Sequence, residues 1–474
     1  QPSHESVALQ VPEITREEAD ITLEAEDGSI PTGCSVSIVP RLGYSGTGYL
    51  SGLNAENGST LELEADIPAT QHYDITVVLG ADTPSTCRIL ANGEPVYTLK
   101  AEENENFVRA TVQGIFLSKG KCKLEIEPVS GIVDIDCVEL VNNTSLYDED
   151  AAISQTPVNP HASASAKALL KFLADSYGRK IVTGQYVSDS TNRELEQIYQ
   201  VTGAYPLIRF ADMQSYSRNG GNAAQATAVE DSLAWAQEGG IAGLSWYWNA
   251  PAGNASIYAK DTTFDLSAAV TDKDIAMATD AQLSQMAASG EISEGCYAMI
   301  QDIDAVSEQL KKLADADVPV LWRPLMEAGG DWFWWGASGA DAYRWLWELM
   351  YTRMTEYHQL NNLLWIWNGQ SSSYQVDKSQ YDIASLDVYV KDKTEAYGSR
   401  YEQYVALRNM TGGKLLALSE CSTVPDMNAM FRDNAVWSFF GLWYAPYLGE
   451  YTSNDALLSV YHSEGALVRG DYQP

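Results

Sequence analysis

The chain has 474 residues, with 64 acidic against 30 basic side chains and a formal net charge of −34. That balance disfavours nucleic acid and anionic membrane surfaces as partners, since both are held through basic patches, whereas a neutral polymer such as a polysaccharide is not repelled. No run of about twenty apolar residues reads as a membrane span, and the length predicts two or three domains.

The sequence opens at Gln1 with neither a charged n-region nor an apolar h-region, and is read as the processed form of a secreted, extracellular protein. Residues 20–141 carry short alternating runs, among them Thr60-Leu61-Glu62-Leu63-Glu64 and Lys121-Cys122-Lys123-Leu124-Glu125-Ile126. Turn pairs such as Asn57-Gly58 and Asn92-Gly93 punctuate them. Short strands at this spacing predict an all-β, jelly-roll-like sandwich. Cys34, Cys87, Cys122 and Cys137 fall in this region at spacings that match no zinc pattern, and both disulfides and buried free thiols fit them. Residues 142–160, with an acidic run, Pro157 and Pro160, read as a linker.

From 161 to 474 the pattern changes to strands alternating with amphipathic stretches. Apolar strand candidates lie at 180–186, 205–213, 240–248, 318–327, 363–368, 382–389, 414–421 and 437–444, and 340–359 shows helical spacing. Eight such units predict a (β/α)8 TIM barrel, whose active groups belong at the C-terminal ends of strands. Glu327 ends the fourth candidate and Glu420 ends the seventh. A carboxylate after a long apolar run is costly unless it has a task or a partner. Pairing with arginine or helix capping would explain either one alone; two at matching strand ends favour chemistry.

Two carboxylates across one cleft are the machinery of glycoside hydrolysis, and in the retaining form they stand about 5–5.5 Å apart. Glu327 leads into Gly329-Gly330-Asp331-Trp332-Phe333-Trp334-Trp335, a flat aromatic surface of the kind that pyranose C–H faces stack on. Desolvation there should raise the pKa of Glu327 and suit it to the acid role, with Glu420 as the nucleophile. Tyr389, ending the sixth candidate strand, is placed to orient Glu420.

At these residues the chain resembles glycoside hydrolase family 26, best known for endo-β-1,4-mannanases. The resemblance rests on Trp322-Arg323-Pro324-Leu325-Met326-Glu327, Gly330-Asp331-Trp332-Phe333-Trp334-Trp335-Gly336, Ser245-Trp246-Tyr247-Trp248-Asn249, Trp365-Ile366-Trp367-Asn368 and Leu418-Ser419-Glu420-Cys421. It implies a retaining barrel enzyme with Glu327 as acid/base, Glu420 as nucleophile, Tyr389 as its hydrogen-bond partner, and Trp332 and Trp443 as sugar platforms. Two departures stand out, because the family has histidine where this chain has Met326 and Tyr247. Both are expected to line the subsite of the attacked sugar, with Trp248 beside them. They leave β-1,3-xylan and mixed-linkage β-glucan open as substrates beside β-mannan, and a non-catalytic polysaccharide-binding protein as the alternative of another class. No catalytic cofactor is implied, and the chain is expected to work as a monomer.

The amino-terminal region resembles carbohydrate-binding module family 35, on Leu23-Glu24-Ala25-Glu26-Asp27, Gly43-Tyr44-Ser45-Gly46-Thr47-Gly48-Tyr49 and Asp134-Ile135-Asp136-Cys137. That resemblance implies a structural calcium held by Glu24, Glu26 and Asp136, carboxylates being suitable hard-oxygen ligands.

Overall fold

The computed structural model describes residues 6–145 and 152–474. The chain divides into two compact units, one comprising 11–149 with 432–434 and the other comprising 1–10, 150–431 and 435–474.

The first unit is an antiparallel β-sandwich. One sheet orders Ser35–Ser37, Tyr49–Asn54, Ile132–Asn142, Gln71–Gly80 and Val108–Leu117, with Asp20–Glu24 also paired to Ile132–Asn142. The other orders Leu61–Ile67, Gly120–Ser130, Ser85–Ala91 and Glu94–Ala101. Alternation decides which way each strand faces: Leu61, Leu63, Ala65 and Ile67 enter the core while Glu62, Glu64 and Asp66 meet solvent. Between Ala91 and Glu94 the chain turns through Asn92 and Gly93, both at positive φ (50° and 84°), the geometry a tight hairpin requires. All six cysteines are free thiols, so hydrophobic packing rather than disulfides holds the sandwich, with Cys87 and Cys122 inside its core.

The second unit is a closed barrel of eight parallel strands, Gly184–Tyr186, Ile208–Asp212, Ile241–Trp246, Val320–Pro324, Leu363–Trp367, Ile383–Val388, Leu415–Cys421 and Phe440–Leu442. Gln185 pairs with Leu442 to close the ring. Each strand falls inside its sequence candidate but is shorter. The fourth stops at Pro324 because Leu325 adopts φ +52°, which no strand can continue. The core collects Ile208, Phe210, Ile241, Leu321, Leu364, Ile383 and Leu415.

Around the barrel, Ser163 and Ser293 cap the helices Ala164–Ser176 and Glu294–Asp315 by accepting a first-turn backbone N–H. Cys296, Met299, Ile300, Ile303, Val306, Leu310 and Leu313 recur on the buried face of the longer one. The 340–359 stretch forms Ala340–Thr352 and continues through a π turn, Arg353–Tyr357. The segment read as a linker includes 146–151, outside the described residues. By Val158 the chain is tied to the barrel, its N–H donating to Asp382 Oδ1 at 2.8 Å while Trp365 N–H takes Oδ2 at 2.8 Å. Burial pushes the Asp382 carboxyl up to about 6 despite these donors.

Arg353 shows how a buried charge is accommodated here. It is fully buried and clamps Asp304 bidentately, Nε to Oδ1 and Nη2 to Oδ2, both at 2.8 Å, and His358 Nε2 lies 2.6 Å from Oδ1. Burial alone would raise the Asp304 carboxyl; Arg353 and His358 outweigh it and hold it below its ordinary value. Arg353→Met removes the main partner of a largely desolvated carboxylate. Denaturant unfolding of the variant is expected to show a loss of about 3–5 kcal/mol, and a loss under 1 kcal/mol would mean that solvent or His358 satisfies Asp304 unaided.

Candidate active site

A cleft of about 790 Å³ opens at the C-terminal ends of the barrel strands and contains both Glu327 and Glu420. Tyr247, Tyr258, Phe333, Tyr389, Trp443 and Tyr444 give it aromatic walls, and Ser188, Asp212, Gln214 and Thr227 contribute polar ones.

Glu420 is the penultimate residue of Leu415–Cys421 and only 3% exposed. Three groups donate to it: Tyr389 Oη to Oε1 at 2.7 Å, and both Tyr247 Oη and Arg323 Nη2 to Oε2. Arg323, buried on the fourth strand, also reaches Asp387 Oδ2 (3.1 Å), Asn368 Oδ1 (3.0 Å) and Tyr186 Oη (3.1 Å). Asp387 Oδ1 accepts from Ser419 Oγ at 2.6 Å. Burial raises both phenols at Tyr247 and Tyr389 and the Glu420 charge raises them further, so each keeps its proton and serves as a donor.

Glu327 follows the fourth strand through a turn in which both Leu325 and Glu327 have positive φ (52° and 53°). Such backbone costs on the order of 1–3 kcal/mol per residue and persists only where its surroundings fix it. Here the residues just past the fifth strand do so, Asn368 O accepting Glu327 N–H at 2.7 Å and Gly369 O accepting Gly329 N–H at 2.9 Å. Burial raises the Glu327 carboxyl and the Glu420 charge adds to it, against the lowering influence of neighbouring Asp387, Arg323 and Trp332. Asp387, wholly buried, is driven well above the usual carboxylate range by burial and by Glu420. Both carboxyls are thus shifted toward the protonated form.

Of the residues expected to touch substrate, Tyr247, Tyr389 and Trp443 line the cleft. Trp332 stands 45% exposed, near enough to Glu327 to lower its carboxyl. Its placement depends on Gly330, where a Cβ would lie 2.1 Å from the indole ring. Met326 and Trp248 are corrections. Both are completely buried and outside the cleft lining. Trp248 stacks on Trp246 at 4.2 Å and donates to Asp302 Oδ2 at 2.7 Å, while Met326 O accepts from Trp335 Nε1 at 2.8 Å. Trp334 and Trp335 are also buried, so of the three tryptophans in the aromatic run only Trp332 offers a surface. Sequence reasoning passed over Arg323, Asn368 and Asp387. The available signal was a charge inside an apolar strand, Trp322-Arg323-Pro324, and an aspartate two residues before Tyr389.

In the sandwich, Glu24, Glu26 and Asp136 gather around the 45–47 loop. Ser45 Oγ donates to Glu24 Oε2 (2.7 Å), Ser45 N–H to Asp136 Oδ1 (2.9 Å) and Thr47 N–H to Glu26 Oε1 (2.7 Å). Between them Gly46 has φ +61° and a would-be Cβ 2.2 Å from Glu26 Oε1, a position only glycine can fill. Burial raises the Asp136 carboxyl, and the charges of Glu24 and Glu26 contribute. The donors are hard oxygens and Glu26 Oε2 is buried without a hydrogen-bond partner. As arranged, however, no group of three or more histidine, cysteine or acidic side chains among the described residues could hold a metal ion.

An eight-stranded parallel barrel with carboxylates at the ends of its fourth and seventh strands, facing an aromatic cleft, defines a barrel of the glycoside hydrolase class. Residues 158–470 match glycosyl hydrolase family 26, and residues 21–142 match carbohydrate binding module family 35. A mannan endo-1,4-β-mannosidase from Thermothelomyces thermophilus is 32% identical over 468 residues, covering 95% of this chain and 90% of that protein. Mannan endo-1,4-β-mannosidase B from Piromyces sp. is 30% identical over 468 residues, covering 95% and 77% respectively. The crystal structure of a β-(1,4)-mannanase from Podospora anserina with the same two domain types superposes with a TM-score of 0.64 at 29% identity, over 96% of this chain and 99% of that one. This chain belongs to glycosyl hydrolase family 26.

Asp212, at the end of the second strand, lies in the cleft and is pushed up to about 7 by burial. Its Oδ1 accepts both Tyr247 N–H (2.9 Å) and Gln214 N–H (3.1 Å). A carboxyl raised above its unfolded value contributes stability at low pH that is lost as pH rises through the folded pKa. Asp212→Asn keeps an acceptor for both amides and removes this loss. Thermal melts are therefore expected to show the variant gaining on the parent between pH 5 and pH 8, and a pH-independent difference would sink the assignment.

Proposed function

We propose that this protein is a retaining endo-β-1,4-mannanase that cleaves β-mannan by double displacement. One observation carries the reading: a Glu327 whose carboxyl is raised by burial and a Glu420 that receives three donors share one aromatic cleft. The names of the relatives support the choice of mannan.

In the first step a Glu420 oxygen attacks the anomeric carbon while the Glu327 proton passes to the glycosidic oxygen, and the leaving chain departs. In the second, Glu327 takes a proton from water, the water oxygen attacks the same carbon, and the electrons of the ester bond return to Glu420. Tyr389 orients the nucleophile; Trp332 and Trp443 offer flat faces to the sugars. Arg323 pairs with Glu420 and Asp387 together and holds the nucleophile in place. The substrate is a polymer that cannot cross a membrane, which puts the enzyme outside the cell, working as a monomer.

Reducing-sugar release should be high on mannan and galactomannan and low on β-1,3-xylan and mixed-linkage glucan; the reverse order would reassign the substrate. Glu420→Ala is expected to abolish turnover in a folded protein. Glu327→Ala should keep the glycosylation step on aryl glycosides with good leaving groups, which need no proton donor, and lose it on mannan. Equal loss of that step on both substrates would remove Glu327 from the acid role.

We also propose that a calcium ion takes up Glu24, Glu26 and Asp136, with the unpartnered Glu26 Oε2 as its readiest donor and rearrangement of the 45–47 loop freeing the others. A cation bound only by the folded sandwich stabilises it by mass action. Calorimetric melts of the intact chain in calcium and in chelator are expected to differ, and Asp136→Asn should erase the difference. Identical parent melts would dismiss the ion.

A further inference from the structure

Tyr247 occupies a position where the family resemblance calls for histidine, and its hydroxyl goes to neither a backbone group nor open cleft. It donates to the same oxygen of Glu420 that Arg323 holds. The two carboxylate oxygens are thus unlike. Oε2 carries two donors, one of them a fully buried guanidinium. Oε1 carries Tyr389 alone, at 2.7 Å, and that tyrosine is 37% exposed at the cleft. The Tyr247 ring is fixed edge-on against Phe333 and Trp443, each at 5.9 Å between centroids, and its N–H is tied to Asp212.

We propose that Tyr247 is a positioning residue that holds the non-attacking oxygen of Glu420 and favours breakdown of the glycosyl-enzyme over its formation. The inference rests on Glu420 being the nucleophile. Oε1 forms the bond to the anomeric carbon, and Oε2 becomes the carbonyl oxygen of the ester with Tyr247 and Arg323 still upon it. Phenol-to-carboxylate hydrogen bonds are charge-assisted and stronger than phenol-to-ester ones. The Tyr247 bond therefore weakens as the ester forms and strengthens again as water displaces Glu420. It works against the first step and for the second.

Other groups face Glu420 from every side. Arg323 comes from the fourth strand, with Glu327 beyond it, and Asp387 and Tyr389 from the sixth. Tyr186 on the first strand, Asp212 on the second and Tyr444 after the eighth also feel its charge. Among the described residues, only Arg323 and Tyr389 besides Tyr247 are seen to donate to it, so removing one phenol is not silently replaced.

The test uses the full chain carrying Tyr247→Phe and an aryl β-mannobioside. The lost bond stabilised the charged form, so the acidic limb of kcat/KM should move up by about one pH unit. Rapid-quench measurements should show the glycosyl-enzyme accumulating, with its hydrolysis slowed about tenfold and its formation unslowed or faster. An unmoved limb with both steps reduced equally would make Tyr247 a packing residue and overturn the proposal. Should Tyr247→Phe not fold, 3-fluorotyrosine at this position, a stronger donor of similar shape, is expected to move the limb the opposite way; no movement overturns the proposal equally. Separately, Glu420→Ala supplied with azide should release an α-mannosyl azide from the same substrate. Failure there alone would indict the nucleophile assignment and not Tyr247.

Discussion

The site is organised by one buried cation shared between two buried carboxylates. Arg323 spans Glu420 and Asp387, and its side chain is sealed from solvent by the strands around it. One guanidinium cannot neutralise both acids together with Glu327 and Asp212. In a desolvated setting the excess negative charge is relieved by binding protons. That explains why Asp387 and Glu327 are both raised. Asn368 and Tyr186 hold the guanidinium itself, so strands one, four, six and seven and the residue after the fifth all enter the same electrostatic arrangement.

Backbone geometry supplies the second constraint. The left-handed residues Leu325 and Glu327 swing the chain off the fourth strand, and the carbonyls of Asn368 and Gly369 hold the new direction. Asn368 thus serves twice, its side chain on Arg323 and its carbonyl on Glu327. The acid and the cation that tempers it are referred to the same residue just past the fifth strand, which limits how far they can drift apart.

Period-two runs in the first unit and eight apolar strands in the second made the architecture legible, because burial on one face or on both leaves a direct imprint on residue order. The carboxylates Glu327 and Glu420 were legible for the same reason, each breaking an apolar run. What escaped was the direction of individual side chains. Met326 sits between two left-handed residues, which no spacing rule anticipates, and it is packed away rather than facing substrate. Trp248 was read as a sugar contact because of its motif, but it lies inward, paired with Asp302. Arg323 looked like one more charge in a motif, and only the closed barrel reveals that it meets residues 64 and 97 positions away. Tyr247 lines the cleft, and its bond to Glu420 depends on a pairing across 173 residues.

Asp382 bears on where the catalytic half can be severed. Its carboxylate, buried beneath the fifth and sixth strands, takes one of its two amide donors from Val158, ahead of the first barrel helix and three residues before the boundary that the change of sequence pattern marks at 161. A fragment begun at that boundary would leave Oδ1 facing an empty seat at the bottom of the barrel. Excision for expression or for grafting onto another module therefore belongs upstream of Val158, with Pro157 and its neighbours kept as part of the enzyme rather than trimmed as tether.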